Sequence, residues 1–158
     1  MHRSVCRRLS LERARRHVTT EANIKALGLE LPVIAAPKGN YIQYQRTGNL
    51  VYLSGHLPTP AKGPMVTGRL GENMTTEQGY EAAKLVGLQM IATLQLNLGD
   101  LDKVVKTVKL FGIVNSTNDF VQQATVMNGC SDLFHNVFGG NLPHVVTTLP
   151  EIVTTLPK

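Results

Sequence analysis

The sequence predicts an α+β fold, two helices packed on one face of a small mixed β-sheet, and three observations carry that expectation. Two β-rich runs, residues 41–46 and 49–54, flank Thr47-Gly48 in the manner of a hairpin. Two stretches, 75–98 and 119–138, space their apolar residues as amphipathic helices do. Between these helices, residues 103–115 (KVVKTVKLFGIVN) are β-branched and aromatic, the composition of a third strand.

Residues 1–20 hold the charge. Six of the eight arginines (Arg3, Arg7, Arg8, Arg13, Arg15, Arg16) stand there, with Glu12 as the only acid. In 21–158 eight Lys and two Arg balance ten Asp and Glu, so the formal +5 of the chain belongs to this leader. With Ser4, Ser10 and Thr19 it has the composition of a mitochondrial presequence, and a mitochondrial location is expected; a basic tail without an address, on a cytoplasmic protein, is the alternative. Residues 21–158 read as a single domain whose neutral balance counts against a charged nucleic-acid clamp. No apolar run approaches the ~20 residues that cross a bilayer, so a soluble protein without a membrane partner is expected. Cys6 and Cys130 cannot build a disulfide framework, and no spaced Cys/His set suggests a metal.

The elements follow in order. Residues 21–27 read as a short helix, and 31–39 as a Pro/Gly-containing connection. In the hairpin, Gly48 supplies the unusual φ of the turn. Leu50, Tyr52 and Ser54 share one face of the second strand, Val51 and Leu53 the other, and Ser54 ends it. Residues 56–73 form a loop with Pro58, Pro60 and Pro64; its Gly63-x4-Gly68-Arg69-Leu70 lacks the Lys and Ser/Thr of a phosphate loop. Thr75-Thr-Glu-Gln78 is a capping box that opens the first long helix, and Gly99 closes it. Its expected apolar stripe is Ala83, Val86, Met90 and Leu94. The second long helix turns Val121, Ala124, Met127 or Asn128, Leu133 and Val137 inward, with Cys130 as packing, and Gly139-Gly140 ends it. The strand-like tail, 143–158, contains the near-repeat Val146-Thr-Thr-Leu-Pro150 and Val153-Thr-Thr-Leu-Pro157. Helices on one face leave the other face of the sheet bare, and a second copy of the chain is its simplest cover.

Several segments, in order and at matching spacing, resemble the Rid family of reactive-intermediate (imine/enamine) deaminases, also called the YjgF or L-PSP endoribonuclease family. They are Ala36-Pro-Lys-Gly-Asn-Tyr-Ile-Gln43, Thr47-Gly-Asn-Leu-Val-Tyr-Leu-Ser-Gly-His-Leu-Pro58, Gly68-Arg-Leu-Gly71, Gln78-Gly-Tyr-Glu-Ala-Ala83, Leu98-Gly-Asp-Leu-Asp-Lys-Val104, Gly112-Ile-Val-Asn-Ser-Thr-Asn-Asp-Phe120 and Val126-Met-Asn-Gly-Cys-Ser-Asp-Leu-Phe134. Leu27-Gly-Leu-Glu-Leu-Pro32 and the Met-Asn-Gly-Cys-Ser-Asp stretch are similar to the longer-chain branch. The resemblance implies a chorismate-mutase-like fold, a homotrimer with clefts between subunits, and hydrolysis of 2-imino or 2-enamino acids to 2-oxo acids and ammonia, with no cofactor or metal. It also admits two alternatives: an endoribonuclease on single-stranded RNA that inhibits translation, and a non-catalytic small-ligand-binding trimer.

Imine hydrolysis needs polarisation of C=N, a positioned water and a cation for the substrate carboxylate. By resemblance the cleft residues fall on Tyr41, Ser54 and Asn128 as catalytic groups and on Gly55 as a substrate-binding backbone. The family's carboxylate-clamping Arg falls on Val145 or Val146 here, and no arginine follows Arg69. Activity is therefore expected to be weak, with His144 as a partial cationic substitute in substrate binding. The family's closing acidic residue has only Glu151 as a counterpart, and His56 stands where the family has Gln and reads as a polar loop residue.

Overall fold

The computed structural model describes residues 19–139 and 145–150. The leader, except Thr19 and Thr20, together with His144 and Glu151, lies outside them. The elements are α1 (Thr20–Ala26), β1 (Tyr44–Thr47), β2 (Leu50–Leu53), α2 (Thr76–Leu98), a 3-10 turn (Leu101–Lys103), β3 (Lys109–Val114), α3 (Gln123–Val137) and β4 (Val145–Pro150). The α+β class and the order hairpin, helix, strand, helix, strand are those read from the sequence.

Local chemistry sets the ends. Thr75 Oγ1 accepts from the Gln78 amide at 3.3 Å and the Gln78 side chain accepts from the Thr75 amide at 2.8 Å, a complete capping box. Gly99, at φ +72, ends α2 in the left-handed region that costs glycine nothing. Gly48, at φ +56, turns the hairpin, which pairs antiparallel with Tyr44 opposite Leu53 and Thr47 opposite Leu50.

Three boundaries differ from expectation. The third strand begins at Lys109, not Lys103, because the Asp100 carboxylate accepts from the Asp102 amide at 2.9 Å and winds 101–103 into a turn. The second long helix begins at Gln123, not Asp119, because the Phe120 amide donates to the Thr117 carbonyl at 3.3 Å and closes a turn there, and Val121 before the helix is 84% exposed instead of turned inward. The strands hydrogen-bond as two pairs, antiparallel β1–β2 and parallel β3–β4, in place of one continuous sheet. Pro58, Pro60 and Pro64 lack the N–H that a ladder needs, so the chain after β2 leaves the hairpin as a loop.

The helix faces also sit differently. Within α2, Gly79, Gly87, Ile91, Ala92, Thr93 and Leu94 are buried, whereas Val86 is only half-buried. Within α3 the inner side is Val126, Met127, Gly129, Cys130, Leu133, Phe134 and Val137; Ala124 and Asn128 are exposed. The main core joins Ile24, Ile91, Leu94, Leu101, Leu110, Cys130, Leu133, Phe134 and Val137. A smaller cluster of Leu70, Val114, Val126 and Met127 anchors the long loop: Leu70 donates to Asn115 and accepts from Thr117, which lays Gly68-Arg-Leu-Gly71 along the end of β3. Cys130 is core packing, as expected, and burial pushes its thiol up to about 12.

Strand alternation leaves the outer side apolar. Val51 and Leu53 pack on the core while Leu50 and Tyr52 face out, Tyr52 59% exposed. Leu110 and Val114 are buried while Phe111 and Ile113 face out, Ile113 71% exposed. Among the described residues no helix is long and apolar enough to cross a membrane.

Candidate functional site

The hairpin positions most of the predicted set at one end. The Ser54 amide donates to the Gln43 carbonyl at 3.1 Å, one step beyond the β1–β2 ladder, and Ser54 Oγ donates to the Ile42 carbonyl at 2.5 Å. The hydroxyl proton is thus engaged, and the Oγ lone pairs remain to accept from a ligand N–H or a water. Tyr41 precedes Ile42, its amide bonded to the Gly39 carbonyl at 3.0 Å and its side chain half exposed. Gly55 follows Ser54, exposed, with φ outside the left-handed region, and a Cβ built on it would meet nothing within 4 Å. Among the described residues nothing crowds position 55, and its φ does not call for glycine. Asn128 stands on the exposed side of α3, and no hydrogen bond joins it to the hairpin end among the described residues. The hairpin end thus carries Tyr41, Ser54 and Gly55, and Asn128 belongs to a different element, α3.

The sequence reading understated His56. Its ring is half-buried, with Nδ1 2.7 Å from the Ser54 carbonyl oxygen and Nε2 2.8 Å from Thr93 Oγ1 on α2. Burial holds its pKa below the usual 6.5, with the Ser54 carbonyl opposing the shift. A histidine two residues past a strand-end serine is the only sequence signal for this link, since its partner on α2 is 37 positions away.

Both arginines of the described residues are engaged elsewhere. Arg69 bonds the Ser116 carbonyl at 3.2 Å and pairs with Glu72 at 3.7 Å; Arg46 bonds the Gly48 carbonyl at 2.8 Å. Val146, a candidate for the clamp position, is 41% exposed on β4, in register with Leu110 of β3.

Two other features are separate from this set. An open cavity of about 470 Å³ at the start of α2 is lined by Thr75, Glu77, Thr117, Asp119 and Phe120 among others, and by none of Tyr41, Ser54, Gly55 or Asn128. Glu21, Asp100 and Asp102 place carboxylate oxygens within 4.8 Å of one another. Each accepts from a backbone amide, of Leu101, Asp102 and Thr20 respectively, and together they tie α1 to the 3-10 turn.

A family model described as "YjgF/chorismate_mutase-like, putative endoribonuclease" matches residues 21–156. The chain belongs to this YjgF family. The Trypanosoma cruzi protein TCP17 is 44% identical over 118 residues, covering 75% of this chain and 74% of that one. Among solved structures, a protein of Shewanella oneidensis described as a putative endoribonuclease aligns with a TM-score of 0.81 at 32% identity, over 86% of this chain and 90% of that one. A protein of unknown function from Agrobacterium tumefaciens aligns with a TM-score of 0.76 at 34% identity, over 84% and 83%. The chorismate-mutase-like fold expected of a YjgF-family chain is therefore the fold of this one.

Proposed function

We propose that the chain hydrolyses small 2-imino or 2-enamino acids, weakly, in a cleft that neighbouring copies complete within a homotrimer. The observation that carries this reading is Gly55: a glycine at an open strand end, next to Ser54, with nothing crowding it among the described residues and no φ that calls for glycine. Close approach of a ligand or a neighbouring subunit is the remaining reason for a residue without Cβ. The exposed Tyr52, Phe111 and Ile113 favour the oligomer, because such an apolar outer face is stabilised by burial against a like face. Asn128 then acts across the subunit boundary, consistent with its exposed place on α3.

In this reading the imine nitrogen takes a proton, which draws charge from C2, and water adds to C2 and gives up a proton. The carbinolamine then collapses, the C2–N bond breaking as ammonia leaves and the 2-oxo acid forms. Ser54 Oγ accepts from the imine N–H or the attacking water; the Tyr41 hydroxyl and the Asn128 amide orient the ligand; the Gly55 N–H donates to an anionic atom. His144 partly compensates for the missing arginine, and residues 1–20 direct the protein to the mitochondrion.

The test couples purified protein to a pyridoxal-phosphate dehydratase acting on threonine and follows decay of the iminobutyrate released. Acceleration above buffer, lost in Ser54→Ala, is the expected result; no acceleration at any protein concentration refutes the reading.

The family description and the Shewanella relative favour one second reading, endoribonuclease action on single-stranded RNA. The neutral balance of 21–158 opposes it, since phosphate contacts need cations. Cleavage of RNA at physiological salt by protein lacking residues 1–20 would reverse the order of the two.

A further inference from the structure

His56 links the candidate site to the core through a chain of hydrogen bonds whose protons can be placed. Its Nδ1 faces the Ser54 carbonyl oxygen at 2.7 Å, and a carbonyl has no proton to give, so Nδ1 carries one. Its Nε2 faces Thr93 Oγ1 at 2.8 Å, and that hydroxyl also lies 3.0 Å from the Gln89 carbonyl oxygen, the usual back-bond of a helical threonine. In the neutral ring Nε2 is a bare lone pair, so the Thr93 hydroxyl swings from Gln89 and donates to it. In the protonated ring Nε2–H donates to Oγ1 and the hydroxyl proton returns to Gln89. Both states are satisfied, but only one neutral tautomer is. The burial that disfavours the charged ring makes this tautomer the working form near neutrality.

The consequence reaches the site through one peptide unit. The peptide bonds of the described residues are all trans, so the Ser54 C=O and the Gly55 N–H point in opposite directions from the same plane. With the carbonyl turned inward onto His56, the Gly55 N–H turns outward, and it has no hydrogen-bond partner among the described residues. Ser54 Oγ is fixed by the Ile42 carbonyl just before β1, so this hydroxyl and the Gly55 N–H are successive polar groups at the open end of the hairpin. Thr93 is completely buried, which makes it a rigid anchor for the ring.

We propose that His56, held as its Nδ1–H tautomer by the Ser54 carbonyl and anchored at Nε2 by Thr93, is a positioning residue that aims the Gly55 N–H at an anionic ligand atom at the end of β2. This rests on the reading of Ser54 and Gly55 as the ligand site. A histidine that merely staples the hairpin to α2 would stabilise the fold without altering ligand affinity.

The experiment uses the full chain, labelled with ¹⁵N, at about pH 7.5. Long-range ¹H–¹⁵N correlation reads the tautomer of His56, expected as Nδ1–H in wild type and retained in Thr93→Val, because the Ser54 carbonyl can only accept. Titration with 2-oxobutyrate, a carboxylate of the proposed product class, is followed at the Gly55 amide. His56→Ala is expected to weaken binding at least tenfold, and His56→Gln, whose amide N–H can still donate to the Ser54 carbonyl, to recover most of that loss. An Nε2–H ring in wild type, or equal affinities for wild type and folded His56→Ala, overturns the proposal. If wild type neither binds 2-oxobutyrate nor turns over iminobutyrate, the site reading fails and the aiming role falls with it, while the tautomer measurement still stands as a separate result.

Discussion

Gly129 of α3 sits against the backbone of Tyr80 on α2: a β-carbon on Gly129 would stand 2.8 Å from the Tyr80 carbonyl carbon and 3.2 Å from the Lys84 nitrogen. Neither atom belongs to a side chain that can rotate away, so Gly129→Ala forces the two helices apart. Overpacking of this kind costs about 3 kcal/mol or more, well above the ~1 kcal/mol that alanine gains in helix propensity. At Gly87 the obstacles are Leu133 Cδ2 at 2.8 Å and Cys130 Sγ at 3.2 Å, ends of side chains that can shift. Gly87→Ala is therefore expected to cost about 1 kcal/mol. Urea unfolding of the two variants checks the order; a larger loss for Gly87→Ala contradicts it.

These glycines explain what the sequence conveyed and what it concealed. The capping box at Thr75 and Gln78, the stop at Gly99 and the turn at Gly48 were legible because each is a local device, complete within a few residues. The faces of α2 and α3 were legible only in part. The residues that mark their contact, Gly79, Gly87 and Gly129, carry almost no hydropathy, so an apolar stripe through Val86 looked as good as the true one through Ile91. The same limit applies at the site. Ser54 and Gly55 could be placed at a strand end from alternation alone. The role of His56 depends on Thr93, which folding brings to it, and among the described residues no hydrogen bond links Asn128 to the hairpin.

His56 also makes stability depend on pH. Its folded pKa lies below 6.5, so on acidification the unfolded chain takes up a proton before the folded one does. The contribution is fully present above 6.5 and is lost as pH falls through the lowered value. The melting temperature of wild type is expected to drop more steeply between about pH 7 and about pH 5 than that of His56→Gln, which has nothing to titrate there. Calorimetry of both across that range checks it; parallel curves would show that the ring is not held neutral.

Gly55 separates function from folding. Its φ lies outside the left-handed region and its surroundings are open, so Gly55→Ala is expected to leave stability unchanged or raise it by roughly 0.5 kcal/mol through the unfolded state. In the proposed cleft the same substitution puts a methyl in the path of the ligand, and turnover of iminobutyrate is expected to fall about tenfold or more. The informative pair is a thermal melt beside a rate. Loss of both would mean that glycine serves the fold after all, and loss of neither would remove Gly55 from the site.

The missing cation gives the sharpest test of the proposed activity. Val145 and Val146 both lie on β4, in register with Lys109 and Leu110 of β3. Position 145 is in register with Lys109, whose charge disfavours a second cation on the neighbouring strand, whereas 146 is in register with the apolar Leu110 and is itself exposed. Val146→Arg is therefore the better restoration of a carboxylate clamp. A charge-assisted hydrogen bond contributes roughly 1.5–3 kcal/mol, so kcat/KM for iminobutyrate is expected to rise about tenfold or more, mainly through KM, because the carboxylate is bound alike in substrate and transition state. Steady-state rates of wild type, Val145→Arg and Val146→Arg in the coupled assay decide the matter. A gain at 146 that 145 does not share supports the clamp geometry; no gain at either, in variants that melt like wild type, would mean that the cleft does not hold its ligand by a carboxylate at this strand.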